Sequence, residues 1–129
     1  MAKSVHNNVL DAMLNYIVDE ADQLCVCSAE PTTKTEADTT YMLAKSSVND
    51  VSATAPADGD VSGRKVTIPE NFSEGSALTI TNTGTATHVA LIDSVGSVLL
   101  YVTTCTSQSL TAAGNVTVPA WDIEVRDPA

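Results

Sequence analysis

Apolar residues recur at three- and four-residue steps through "SVHNNVLDAMLNYIVDEAD", the signature of an amphipathic helix. Val5, Val9, Met13, Tyr16, Ile17 and Ala21 form a stripe with Leu10 beside it, while Asn7, Asp11, Asn15 and Asp19 lie on another side. Ser4 is the expected N-cap, because its hydroxyl can accept from an unpaired first-turn amide. Such a stripe must be covered, either by a sheet of the same chain or by a neighbouring subunit. After it the period changes from helical to alternating. "QLCVCS" sets Leu24, Val26 and Ser28 on one face and Cys25 with Cys27 on the other. "EPTTKTEADTTYML" reads as a polar connection with room for one short helical turn, docked by Tyr41, Met42 and Leu43.

From residue 49 onward the pattern is all strand. "RKVTIP" turns Val66 and Ile68 inward, and "ALTITN" turns Leu78 and Ile80 inward against Ala77, Thr79 and Thr81. "THVALID" and "VLLYVTTC" are apolar on both faces, which predicts the two central strands. "WDIEVRD" alternates Trp121, Ile123 and Val125 with Asp122, Glu124 and Arg126, placing Trp121 in the core. "NTGTA" and "SVGS" suit hairpins, and Gly114-Asn115 marks a tight turn. The expectation is a mainly β protein: a small antiparallel β-sandwich, jelly-roll-like, with an N-terminal α-helix. Residues 1–22 supply the helix and residues 23–129 the sandwich, one compact domain overall.

Charge narrows the partners. Sixteen acidic residues face six basic ones, a net charge of −10, so phosphate backbones and anionic headgroups are repelled. Nucleic acid and membranes are therefore not expected as partners. No apolar run is long enough to span a bilayer, and the first residues lack the pattern of a secretory signal, so synthesis in a cytoplasm is expected.

Three segments carry candidate chemistry. Asp58, Asp60, Ser62 and Gly63 in "ADGDVSGRKVTIP" match the opening of a calcium loop. The position that should hold a bidentate Glu is Pro69, with Glu70 one step late, and Arg64 and Lys65 stand ready to neutralise the carboxylates. Asp-Gly followed by Ser-Gly is a turn signature in its own right, so the stretch reads as a bend. Cys25 and Cys27 are too close along a strand to bridge each other, and Cys105 lies far away; all three are expected reduced, though an odd count permits an intermolecular bond. Zinc held by Cys25, Cys27 and His6 or His88 would lack any C-x-x-C spacing. A nucleophile system of His88, Asp93 and Cys105 lacks every local signature that positions a nucleophile. No catalytic, cofactor-binding or metal residue is assigned, no cofactor is expected, and the chain is not expected to be an enzyme. Glycan-binding sandwiches stack sugars on aromatic faces, and one Trp, three Tyr and one Phe make a poor platform.

The phrases "NNVLDAML", "EPTTKTEA", "ADGDVSGRKVTI", "GTATHVALID", "LLYVTTC" and "PAWDIEVRDPA" together resemble small structural proteins of tailed bacteriophages. That resemblance implies a virion component. Its first form is a capsid decoration or cement protein on the outside of the shell, held by the major capsid protein or other virion proteins through multivalent contacts. The alternative is a tail, neck or fibre-associated protein that binds a receptor or glycan. A homo-oligomer, dimer or trimer, is expected in either case, with the helix face or an edge strand as the contact.

Overall fold

The computed structural model describes residues 5–48, 55–73 and 76–127. Among the described residues one α-helix, α1 (Asn7–Glu20), precedes nine strands: β1 (Gln23–Cys27), β2 (Met42–Lys45), β3 (Ala57–Asp58), β4 (Arg64–Ile68), β5 (Leu78–Thr79), β6 (Gly84–Asp93), β7 (Val98–Leu110), β8 (Asn115–Val116) and β9 (Trp121–Val125). All pairings between them are antiparallel. A four-stranded sheet runs β2-β1-β6-β7, a three-stranded sheet runs β3-β4-β9, and β5 pairs with β8. The result is the expected sandwich with an N-terminal helix.

The main core lies between the sheets. Leu24, Val26, Val89 and Leu91 enter it from the four-stranded sheet, and Val66, Ile68 and Ile123 from the three-stranded one. The alternation foreseen for β4 and β9 is what allows this: Val66 and Ile68 are fully buried, whereas Lys65, Thr67, Asp122 and Glu124 take the other face. Trp121 is only half-buried and packs at the margin of the core. Leu78 and Ile80 do turn inward, as their phasing required.

β1 is buried on both faces because a third layer covers its outer side. Cys25 and Cys27 point away from the main core and pack with Ala90 and Ile92 under Ala37, Tyr41, Leu99 and Val102. Ala37 belongs to a π-helical turn, Glu36–Thr40, in the connection that was expected to hold one short turn. That turn is fixed by its ends: the Glu36 carboxylate accepts from the Thr32 amide at 2.9 Å and its hydroxyl at 2.6 Å, and Lys34 pairs with Asp38 at 2.6 Å. Burial alone would raise the Asp38 carboxyl, but hydrogen bonds from Lys34 and Thr39 outweigh it and hold the group below its usual range.

Four expectations are corrected. The helix is rotated: Leu10, Leu14 and Ala21 are buried and Ile17 and Val18 half-buried, while Val9, Met13 and Tyr16 face away from the core. Two apolar faces compete in this helix, and a distant contact decides between them. Arg64, on the same side of β4 as Val66, donates from Nε to Asp11 Oδ1 at 2.7 Å and from Nη2 to Asp11 Oδ2 at 3.3 Å, drawing the Asp11 side inward. The helix cap is His6, whose Nδ1 accepts from the Asn8 amide at 3.1 Å; Ser4 lies outside the described residues. "VLLYVTTC" forms part of β7, which is an edge strand rather than a central one. Finally, "SVGS" does turn the β6–β7 hairpin, but "NTGTA" leads from β5 into β6 without pairing them, since β5 bonds to β8.

Candidate functional site

The Asp58 loop closes a hairpin. β3 pairs with β4 through Ala57–Lys65 and Asp58–Arg64, and the Gly59 amide donates to the Gly63 carbonyl at 3.0 Å. Gly63 has φ +72°, and a Cβ there would overlap the Val125 carbonyl oxygen, so only glycine fits. The carboxylates are taken up by cations. Arg64 Nη1 donates to Asp58 at 2.8 Å, and Lys65 Nζ reaches Asp60 at 2.6 Å and Asp122 at 3.3 Å. Asp122 is held below its usual range, first by the Thr67 hydroxyl at 2.6 Å and then by Lys65. Two cations thus each hold two carboxylates, which offsets part of the negative charge on a largely solvated surface, where such pairs add little stability. Ser62 joins no carboxylate; its hydroxyl accepts from the Asp127 amide at 3.3 Å.

The cysteine and histidine candidates are dispersed. Cys25 and Cys27 are fully buried and unbridged, and burial pushes both thiols up to about 12. The Cys27 thiol donates to the Ala37 carbonyl at 3.4 Å. These are apolar packing groups, since a thiol so far from ionising neither attacks nor ligates at neutral pH. His88 is the cross-strand partner of Cys27, so strand alternation sets it on the outer side of the sheet, where the Thr87 hydroxyl lies 2.8 Å from its Nδ1. Cys105 packs on the opposite side with the main core. Asp93 is at the far end of β6, where its carboxylate accepts from the amides of Val95 at 3.1 Å and Gly96 at 2.9 Å to shape the hairpin turn. The three do not meet. His6 is remote from all of them on the helix, and among the described residues no three His, Cys, Asp or Glu side chains gather where they could hold an ion.

Two further surface features stand out among the described residues. The first is the outward face of α1, where Val9 is 54% exposed, Met13 52% and Tyr16 58%. Asn8, Ala12 and Ile17 complete a shallow, almost wholly apolar trough along it. The second is the free side of β7. Among the described residues β7 has no hydrogen-bonded neighbour beyond β6, leaving a row of outward amides and carbonyls.

Residues 94–121, which contain the whole of β7, hold no charged side chain at all, although the rest of the chain carries a net charge of −10. Edge strands are normally blunted by lysine, proline or an inward charge, and β7 has none of these. Its only blunting devices are register shifts opposite Ala86/His88 and Leu91/Ile92, which bend the strand but leave Tyr101–Thr104 in regular pairing. A mostly apolar trough of about 200 Å³, lined by Val89, Cys105 and Val118, opens on the core side of β6 and β7.

No family model, curated protein or solved structure matches this chain.

Both surfaces were within reach of the sequence pattern. "VLLYVTTCTSQSL" without a single charge was visible, but its apolar character on both faces pointed to the centre of a sheet. The helix stripe was visible too, and only its orientation was missing.

Proposed function

We propose that this chain is a structural protein of a tailed-phage virion, a capsid decoration or cement protein that docks on the outside of the shell. The observation that carries the reading is the uncharged edge of β7, unpaired among the described residues, on a domain whose own core is already closed. Such an edge adds a strand from a partner: backbone hydrogen bonds supply the attachment and the neighbouring side chains its register. The remaining surface is strongly acidic, which suits docking among basic patches of a protein lattice. The resemblance of the strand and loop phrases to phage structural proteins supports the same role. Each contact is modest, and repetition over a symmetric shell multiplies it. Binding rather than turnover is the activity.

Lysine at two exposed β7 positions, Thr104→Lys with Thr106→Lys, restores the protection the edge lacks. In co-sedimentation with shells stripped of the chain, the double variant is expected to bind about tenfold or more weakly than the native protein, because each lysine must be desolvated against the incoming strand. Its circular dichroism and melting midpoint stay native, since neither side chain is buried. Equal binding by the two proteins would remove β7 as the docking edge.

A further inference from the structure

We infer that a second copy of the chain packs its α1 antiparallel against this α1, across a two-fold axis at Met13. The outward face of the helix reads His6, Val9, Met13, Tyr16 and Glu20, steps of three, four, three and four. That is the spacing of a helix–helix seam, and all five residues are exposed, on a face that flanks the buried side of Leu10 and Leu14. The helix therefore has one apolar stripe for its own core and another left for a second helix.

The polar ends of the seam choose the partner and its direction. His6 uses Nδ1 to accept from the Asn8 amide, so its outward Nε2 carries the proton and donates. Glu20, at the other end, accepts. The helix also carries its acid at the wrong end for its own dipole: no acidic residue in the first turn, no basic residue in the last, and Asp19 with Glu20 at the C-terminal end. An antiparallel copy brings each acidic end beside the positive N-terminal end of the other helix. Met13 then meets Met13 of the second copy, Val9 meets its Tyr16 and Ile17, and His6 meets its Glu20. A parallel copy would stack Glu20 on Glu20 and leave both His6 donors without an acceptor. The seam is self-complementary only in the antiparallel sense, as an isologous contact requires.

Its length, about 21 Å for a 14-residue helix, is short for a free-standing interface, so dimerisation is expected to be concentration-dependent. The inference deepens the assembly reading by naming the self-contact, and it places a β7 edge on each half of a two-fold pair. It is tested on purified protein without shells. Its failure would therefore leave shell docking intact, and failure of shell docking would leave the pair intact.

The test is disulfide trapping in a Cys105→Ser background. Met13→Cys sits on the proposed axis and is expected to form a covalent dimer about tenfold or more faster than Asn15→Cys, which is exposed on the flank of the same helix. In sedimentation equilibrium the native chain should pass from monomer to dimer as concentration rises. Val9→Glu with Tyr16→Glu should stay monomeric with an unchanged far-ultraviolet spectrum. Glu20→Lys should weaken the dimer several-fold without lowering the melting midpoint of the monomer, because it improves that helix's own dipole. Equal trapping rates at Met13 and Asn15, or a monomer at every concentration, would overturn the inference. A seam covered by another segment of the same chain or reserved for a shell protein would give that second result.

Discussion

Phe72→Ala is expected to cost about 3–5 kcal/mol, a large part of the roughly 5–15 kcal/mol that holds a domain of this size folded. Phe72 is the largest fully buried side chain and lies in the main core. It gets there by an unusual path. Asn71 and Phe72 have φ of 50° and 55°, a left-handed step that asparagine tolerates and phenylalanine does not. The step persists because it is pinned on both sides. The Asn71 amide donates to the Val118 carbonyl at 2.8 Å, and the Val118 amide donates to the Asn71 side-chain oxygen at 2.6 Å. This strap ties the segment after β4 to the segment before β9 and drives the ring inward. Truncation leaves the backbone strain in place and removes the packing that repaid it. Urea unfolding should show a lower midpoint with an unchanged slope, and the melting midpoint should fall by roughly 10–20 °C. A loss below about 1 kcal/mol would show that the ring is not a core element.

Alkali is expected to unfold the protein through its two buried thiols. Cys25 and Cys27 are pushed from the ordinary 9.0 up to about 12, first by burial, with Cys27 adding to Cys25 and Cys105 to Cys27. Both folded-state values lie above the unfolded ones, so their contribution is complete below about pH 9, where neither state has lost the proton. Between about 9 and 12 the unfolded chain releases protons that the folded chain keeps, and stability falls as pH rises. Each thiol contributes a slope of at most about 1.4 kcal/mol per pH unit, and together at most about 2.7. Against the usual margin of about 5–15 kcal/mol, cooperative unfolding should set in between roughly pH 10 and 12. Replacing both with alanine lowers stability at neutral pH through the space left behind, but it should flatten the dependence between pH 9 and 11. Parallel slopes for the native chain and the double variant would contradict the thiol account.

What could be read along the chain was what depends on neighbours in sequence. The alternation of Val66 and Ile68, the matching alternation of β9, the Gly63 bend and the "SVGS" hairpin are set within a few residues, and all appear where expected. The misreadings share the opposite property. Which face of α1 turns inward is decided by Arg64 meeting Asp11, 53 positions away. The place of β7 at the edge is a matter of sheet order, and apolar residues on both faces are equally compatible with a covered centre and an adhesive margin. Phe72, on which the sequence pattern gives no expectation, sits in "PENFSEG" with no periodic apolar neighbours, and its burial depends on a hydrogen-bonded strap to Val118. The candidate surfaces follow the same rule: their composition was legible, and their exposure was not.

The proposed decoration role requires that the chain be replicated over a shell, where the β7 edge, unpaired among the described residues, is used many times. Quantitative mass spectrometry of purified particles counts the copies directly. Hundreds per virion, released in step with a loss of shell stability to heat, is the expected result. A dozen or fewer would move the chain to the tail or neck, and none at all would end the reading.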